Sequence, residues 1–332
     1  MDIAVVVNLK ARHGSEAIGR MVRDLLPRAR LTVTRSLDDV RRWIDRDLAP
    51  NPPALLLSGG GDGTAVALIN ELRSRQVDVA RLGVLRLGTG NGWANVTGAP
   101  RPEQAIARIA ALAGREPPTR RFALVETDGR IAPFLGTGWD AEIVSDFKAQ
   151  QASSLASGLK VNDGLFGYLK GMFTRTIPRQ MFGSGPATVT VTNLGEDALT
   201  VDERGQIVPM RDGGRGQVLY RGPASVAAAG TTEEFGFGFR AFPFAHAAPG
   251  RLSARVYSGK VFEATRNMFK LWRGQHPMPN MHDFFLTHGR MDFDREVPFQ
   301  MGGDLAAPRT SFEFRVAADP VELVDWTQLA AA

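Results

Sequence analysis

Leu55-Leu56-Leu57-Ser58-Gly59-Gly60-Gly61-Asp62-Gly63-Thr64-Ala65-Val66-Ala67-Leu68-Ile69-Asn70-Glu71-Leu72 is the stretch from which the fold is read. An apolar run, Ala54 to Leu57, stops at Ser58; four glycines flank Asp62, and an apolar, helix-favouring segment begins at Thr64. The order is strand, glycine turn, helix. Glycine removes the Cβ where a main chain must come close to a ligand, and it permits the positive φ angles that aim successive N–H groups into one concavity. A helix starting at Thr64 adds its unpaired N–H groups and the positive end of its dipole, so the turn is expected to bind an anion, most often phosphate. A ligand-free βα turn is the plainer alternative. Three consecutive glycines, an acid and a fourth glycine are more than such a turn needs.

Asp62 narrows the chemistry, because a carboxylate in an anion cradle repels a bare phosphate. It makes sense beside a metal ion, a ribose hydroxyl or a hydroxyl about to lose its proton. No Gly-Lys-Ser/Thr follows, which excludes a Walker P-loop, and Thr64 stands where the third glycine of a dinucleotide fingerprint belongs.

Upstream, Ile3 to Val7 is a continuous apolar run, as in a strand buried on both faces of a parallel sheet. It ends in Asn8-Leu9-Lys10-Ala11-Arg12, and a helix is predicted from Ser15 to Leu26. A strand over Leu31 to Thr34 and a helix over Leu37 to Asp47 follow, with Ser36 as N-cap. Downstream, a fourth strand, Leu82 to Leu87, runs into Gly88-Thr89-Gly90-Asn91-Gly92-Trp93-Ala94-Asn95. This alternation predicts a doubly wound, mainly parallel α/β sheet, with ligands beyond the C-terminal strand ends. Both glycine turns should then lie on one sheet edge, as two walls of one cleft.

After a helix at Glu103 to Ala113 and the Pro117-Pro118 break, short alternating strands take over: Phe122 to Thr127, Ile131 to Leu135, Ala187 to Asn193, Gln217 to Ala227, Leu252 to Val256 and Asp283 to Thr287. Met291 to Phe293, Val297 to Met301, Ser311 to Val316 and Val321 to Val324 complete the set, and the spacing predicts an antiparallel β-sandwich. The expected organisation is an α/β domain over 1–118, a sandwich over 119–310, and a segment over 311–332 that folds back onto the first domain.

Composition sets the outer limits. A chain of 332 residues, 43% hydrophobic and 23% charged, suits two globular domains. The absence of cysteine excludes disulfides, thiolate nucleophiles and Cys-ligated metals. Five scattered histidines without an HExxH pattern offer no metal site. The N-terminus reads as a strand and not as a signal peptide, and no run of 18 apolar residues occurs, so a cytoplasmic protein is expected. A net charge of +5 suits phosphate ligands or an anionic membrane surface. Nucleic acid is not expected, because the basic residues are spread along the chain and not gathered with aromatics.

Gly60-Gly61-Asp62-Gly63-Thr64 followed by Asn70, with Gly88-Thr89-Gly90-Asn91 after the next strand, resembles the signature of the diacylglycerol kinase-like catalytic domain family. That family includes bacterial lipid kinases, sphingosine kinases and ceramide kinases, and shares its nucleotide-binding fold with NAD kinases. The resemblance implies an ATP-dependent lipid kinase that transfers the γ-phosphate to the hydroxyl of a diacylglycerol-like or sphingoid alcohol. ATP and Mg are the implied cofactors, with Mg arriving on the nucleotide near Asp62 and no metal fixed by the protein alone. The nucleotide would be held by Asn8, Thr34, Gly60, Gly61, Asp62, Gly63, Thr64, Gly88, Thr89 and Asn91; a simple turn residue at Asn8 and a β-branched strand residue at Thr34 are the plainer alternatives.

Gly136-Thr137-Gly138-Trp139-Asp140-Ala141-Glu142 resembles a further family turn, in which Asp140 would orient the acceptor hydroxyl; an ordinary helix N-cap is the alternative. Gln300-Met301-Gly302-Gly303-Asp304 stands where relatives carry Asp-Gly-Glu, which makes Asp304 the implied base and Asp62 its catalytic companion; a Gly-Gly-Asp hairpin is the alternative. Arg86, Gly92 and Gly302 depart from the pattern, and the acids that hold a structural cation in some relatives are missing around Gly250-Arg251-Leu252. A weakened nucleotide- or lipid-binding relative is therefore the second reading, and NAD kinase a third. The segment Leu165 to Arg179, with its aromatic and basic residues, would rest transiently on a membrane surface or else pack as core. A homodimer is left open.

Overall fold

The computed structural model describes residues 1–88, 91–139, 141–146, 185–235 and 238–331. Thr89, Gly90, Asp140 and the stretch 165–179 lie outside the described residues. The chain divides into two compact units, Met1–Phe122 with Asp319–Ala332, and Ala123–Ala318.

The first unit is built on a six-stranded sheet. Strands β1 (Ile3–Asn8), β2 (Arg30–Thr34), β3 (Leu55–Gly60), β4 (Leu82–Arg86) and β5 (Thr119–Phe122) belong to it, together with a returning strand, Val321–Val324. The order is β2-β1-β3-β4, then the returning strand, then β5. The first four run parallel. The middle residues of the central strands β1 and β3 are fully buried, as expected where helices cover both faces: Val5, Val6, Leu56 and Leu57 expose nothing, whereas β2 at the edge is half-buried. Helices α1 (Glu16–Leu25), α2 (Leu37–Trp43), α3 (Asp62–Ser74), α4 (Gly92–Val96) and α5 (Pro102–Ala111) connect the strands. Ser36 caps α2 as the sequence predicts, its hydroxyl accepting from the Asp39 N–H at 3.2 Å while Asp39 accepts from the Ser36 N–H at 3.0 Å.

One boundary moves at the decisive turn. Strand β3 does not stop at Ser58 but carries on through Gly60, because Gly59 still pairs with Val7 and Leu85, and Gly60 with Arg86. A Cβ on Gly59 would stand 2.7 Å from the Val6 carbonyl oxygen, so only glycine lets the strand continue at this spacing. Helix α3 consequently begins at Asp62 and not at Thr64.

The second unit is one twelve-stranded antiparallel sheet. It comprises β6 (Val125–Thr127), β7 (Arg130–Ala132), β8 (Phe134–Gly138), β9 (Ala187–Asn193), β10 (Leu199–Val201) and β11 (Ile207–Pro209). The rest are β12 (Val218–Ala224), β13 (Val226–Gly230), β14 (Leu252–Tyr257), β15 (Met281–Leu286), β16 (His288–Met301) and β17 (Asp304–Val316). Its path runs β11-β10-β15-β14-β13-β8-β16-β17-β6-β7, with β9 joining β16 to β12. Strand β16 changes partner midway, pairing with β9 over Gly289–Phe293 and with β8 over Phe299–Met301. Side chains from both branches, Val191 and Leu219 from one and Ala254, Phe284 and Phe299 from the other, meet in a single core. The predicted sandwich is thus one sheet packed against itself.

Several predicted strands have other limits. The stretch 122–127 is divided between the two sheets, ending β5 at Phe122 and beginning β6 at Val125. Residues 311–318 stay with the second unit, since β17 runs unbroken from Asp304 and pairs with both β16 and β6. The final strand, β18 (Val321–Val324), and helix α8 (Trp326–Ala331) lie in the first unit. Helices α6 (Val261–Arg266) and α7 (Met268–Trp272) were not legible in the sequence.

Candidate functional site

In the strand order β2-β1-β3-β4 the chain leaves β1 toward one side and returns to the other, which puts the topological switch between the C-terminal ends of β1 and β3. The described ones among the predicted site residues of the first unit collect at this point. Asn8 ends β1, and its Nδ2 donates to Thr64 Oγ1 at 3.1 Å, tying the first turn to the start of α3. Its Oδ1 accepts from the Lys10 N–H at 2.9 Å. Thr34, buried at the end of β2, pairs in register with Asn8, and its carbonyl accepts from the Leu9 N–H. The loop after β1 reaches further, with the His13 N–H donating to the Leu87 carbonyl at 3.0 Å.

The two glycine turns touch main chain to main chain. A Cβ on Gly88 would stand 2.3 Å from Gly61 Cα, so the approach tolerates no side chain at Gly88, while a Cβ on Gly61 would be in tight contact at 3.1 Å from Gly88 Cα. Gly60 is fixed differently, with the Thr64 side chain lying where its Cβ would be, at 2.5 Å. The second turn is closed by Asn91, whose backbone adopts the left-handed region at φ 50°; its Oδ1 accepts from the Gly88 N–H at 3.1 Å and its Nδ2 donates to the Gly88 carbonyl at 2.8 Å.

Asp62 joins the turns. One carboxylate oxygen accepts from the Gly92 N–H at 2.7 Å and the other from the Trp93 N–H at 2.9 Å. Burial pushes its pKa above the ordinary carboxylate range, while the N–H groups of Trp93 and Gly92 pull against that shift. This resolves why an acid sits in an anion cradle: its charge is directed at the first N–H groups of α4, and it fastens one glycine turn to the other. Gly92 leaves room beside it, since a Cβ there would lie 3.5 Å from Asp62 Oδ2, in ordinary contact. The backbone donors at 92 and 93 are the partners that sequence reasoning missed; the signal for them was an acid otherwise out of place among glycines. The Asp62 N–H lies against its own carboxylate, and the first-turn N–H of Gly63 has no carbonyl partner within α3, which leaves it to meet an anion. These features fit a nucleotide's phosphates. Among the described residues no cluster of three acidic or histidine side chains is able to hold a metal ion.

In the second unit, Asp304 is the first residue of β17, paired with Met301 across a two-residue turn. Gly302 and Gly303 both have positive φ, 59° and 84°, as a type I′ hairpin requires. Asp304 itself is exposed. Gln300, buried one strand-end earlier, accepts the Gly303 N–H at 2.9 Å and fixes the turn.

The same unit contains an apolar cavity that the sequence did not disclose. It lies over β13 and β14 and is walled by Trp139, Phe239, Phe242, Tyr257, Met268 and Trp272, with Arg255 as its one cation among the described residues. Arg255 is held by the buried Asp283 at 2.5 Å. The Trp139 indole N–H is buried without a hydrogen-bond partner. An apolar cavity with a few polar groups suits a ligand that is mostly hydrocarbon and carries an oxygen function.

Residues 2–119 match the family model of the diacylglycerol kinase catalytic domain. Over 133 residues the chain is 32% identical to "Probable lipid kinase YegS-like" of Pseudomonas aeruginosa, across 38% of this chain and 42% of that protein, so the match spans less than half of the curated relative. Two solved structures from Bacillus anthracis str. Sterne superpose over 97% of this chain and 96% of their own. One, described as a diacylglycerol kinase, has a TM-score of 0.62 at 13% identity. The other, provisionally assigned that activity, has a TM-score of 0.66 at 14% identity. At such identities the likeness shows the fold, and it extends across both units. The resemblance read from the two glycine turns therefore holds for the first unit by sequence and for the whole chain by fold.

Proposed function

We propose that the protein is a lipid kinase that moves the γ-phosphate of ATP onto the hydroxyl of a diacylglycerol-like or sphingoid alcohol. The observation that carries this reading is the main-chain contact of Gly61 with Gly88, fastened by Asp62, beside the switch point of a parallel sheet. Phosphates are received by the first-turn N–H of Gly63 in α3, with Asn8 and Thr64 holding the neighbouring turn in place. A divalent cation carried on the nucleotide would supply charge neutralisation at the transferred group. The apolar cavity of the second unit takes the hydrocarbon part of the acceptor, and Asp304 receives the proton that its hydroxyl loses. The phosphorus–oxygen bond to ADP breaks as the bond to the lipid oxygen forms.

The test is transfer of radiolabelled phosphate from ATP to detergent-dispersed diacylglycerol, sphingosine and ceramide. Asp62→Asn keeps the shape but offers a single acceptor oxygen to two N–H donors; it is expected to abolish transfer and leave the fold intact. Continued phosphorylation of any acceptor by this variant removes Asp62 from the mechanism. A second reading, nucleotide binding without transfer, is favoured by Gly302, which takes away one of the acids that relatives carry. Wild-type protein that binds ATP yet labels no lipid would establish that reading.

A further inference from the structure

Helices α6 and α7 follow each other with only Asn267 between them. Their inward side chains Ala264, Met268, Leu271 and Trp272 form part of the cavity wall. Their outward side carries Phe262 and Phe269, which are 75% and 81% exposed. Among the described residues the next most exposed large apolar side chain is Val218 at 48%. Single exposed apolar residues are commonplace. Two nearly bare phenylalanines on adjacent helices are not, because each ring forgoes the burial that normally places aromatics inside.

The charges around these rings point to the partner. Lys260, Arg266, Lys270 and Arg273 are all exposed, and none forms an ion pair with a described acid. Arginines elsewhere in this unit commonly do, as Arg240 does with Glu233 at 2.6 Å and Arg251 with Glu196 at 3.1 Å. Glu263 is the only acid between positions 260 and 273, and it is engaged locally, accepting from the Lys260 N–H at 3.2 Å and from Asn280 at 2.9 Å. Unpaired cations ringing exposed aromatics match an anionic bilayer: rings enter the interface while basic side chains lie over phosphate headgroups. A second copy of this chain meeting the same face would set four cations against four.

We propose that α6 and α7 form a membrane-docking element, with Phe262 and Phe269 inserting into an anionic lipid surface and Lys260, Arg266, Lys270 and Arg273 holding its headgroups. This deepens the lipid-kinase reading, since it brings a wall of the acceptor cavity to the lipid, but its test requires no turnover. The full chain is floated without nucleotide on vesicles of phosphatidylcholine alone and of phosphatidylcholine mixed with phosphatidylglycerol. Wild type is expected on the mixed vesicles, less so as salt rises. The double variant Phe262→Ser/Phe269→Ser is expected to lose about tenfold or more in affinity at unchanged thermal unfolding. Lys270→Gln/Arg273→Gln is expected to lose about tenfold on the mixed vesicles and to bind the neutral ones as wild type does. Wild type that ignores anionic vesicles, a phenylalanine variant that binds like wild type, or a wild-type dimer that the phenylalanine variant dissociates would each overturn the proposal. Because transfer is measured on detergent-dispersed lipid, loss of docking and loss of chemistry are read separately.

Discussion

Gly88 and Gly230 are both glycines against which something presses, and what presses differs. A Cβ on Gly88 would meet the main chain of Gly61 at 2.3 Å, whereas a Cβ on Gly230 would meet the ring of Phe242 at 2.2 Å. At Gly88, then, closeness is between two backbones, and the residues that permit it belong to short glycine motifs. At Gly230 it is between a strand and an aromatic side chain arriving from elsewhere in the chain. The first arrangement constrains sequence at particular positions; the second constrains volume and tolerates many ways of supplying it.

The sharpest test of the second half of this contrast is Phe242→Ala. The ring is 1% exposed, and its loss is expected to destabilise the fold by about 4 kcal/mol, measured as a shift in the denaturant midpoint. A change of under about 1 kcal/mol would mean that the unit does not depend on that contact. Next in size is Gly88→Ala, expected to cost about 3 kcal/mol, because two main chains have no side-chain rotamer with which to yield. Calorimetry with a non-hydrolysable ATP analogue should also show binding lost; wild-type affinity would break the claim that the contact shapes the nucleotide site.

Asp325 probes how the first unit is completed. It caps helix α8, accepting from the N–H groups of Thr327 at 3.0 Å and Gln328 at 3.3 Å, and from Arg120 of β5 at 3.0 Å. Asp325→Ala is expected to cost about 2 kcal/mol in thermal unfolding at neutral pH. Burial works against its charge, but the hydrogen bonds from Thr327, Arg120 and Gln328 together hold its pKa below the ordinary value. A depressed folded pKa gives stability that is present above the unfolded carboxylate value and lost as pH falls through the folded one, so the deficit of the variant should narrow below about pH 4. Asp62 has the opposite sign. With its pKa raised, its contribution declines as pH climbs from the ordinary carboxylate range through the folded value. Smallest is Gly303→Ala, where no atom lies within 4 Å of the new Cβ and only the φ of 84° resists it. About 1 kcal/mol is expected, and a larger loss would place Gly303 with Gly88 and not apart from it.

The same contrast explains what was legible in the sequence. The parallel sheet, the capping of α2 by Ser36 and the adjacency of the two glycine turns follow from local signals: apolar runs, an N-cap pair, glycines directly after strands. The fastening of Asp62 to Gly92 and Trp93 was not legible, because backbone donors carry no residue signature. The second unit was read as strands without register. Strand β16 reads as two strands in the sequence, since Asp294-Arg295-Glu296 interrupts its alternation with charge, yet the ladder to β17 merely shifts register there and resumes. The cavity draws its walls from residues far apart along the chain, and helices α6 and α7 carry apolar side chains on their outer face as well as their inner one. A helix that is apolar on both sides gives no amphipathic period to find.

Strand β18 separates β4 from β5, and β5 has no other partner in its sheet. During synthesis the ribosome must therefore deliver all of residues 123–318 before the sheet begun by Ile3–Asn8 can close its far edge. Until then the β4 edge that β18 covers stays open, and an open strand edge is a place where wrong pairing starts, even though most of the unit's residues emerge early.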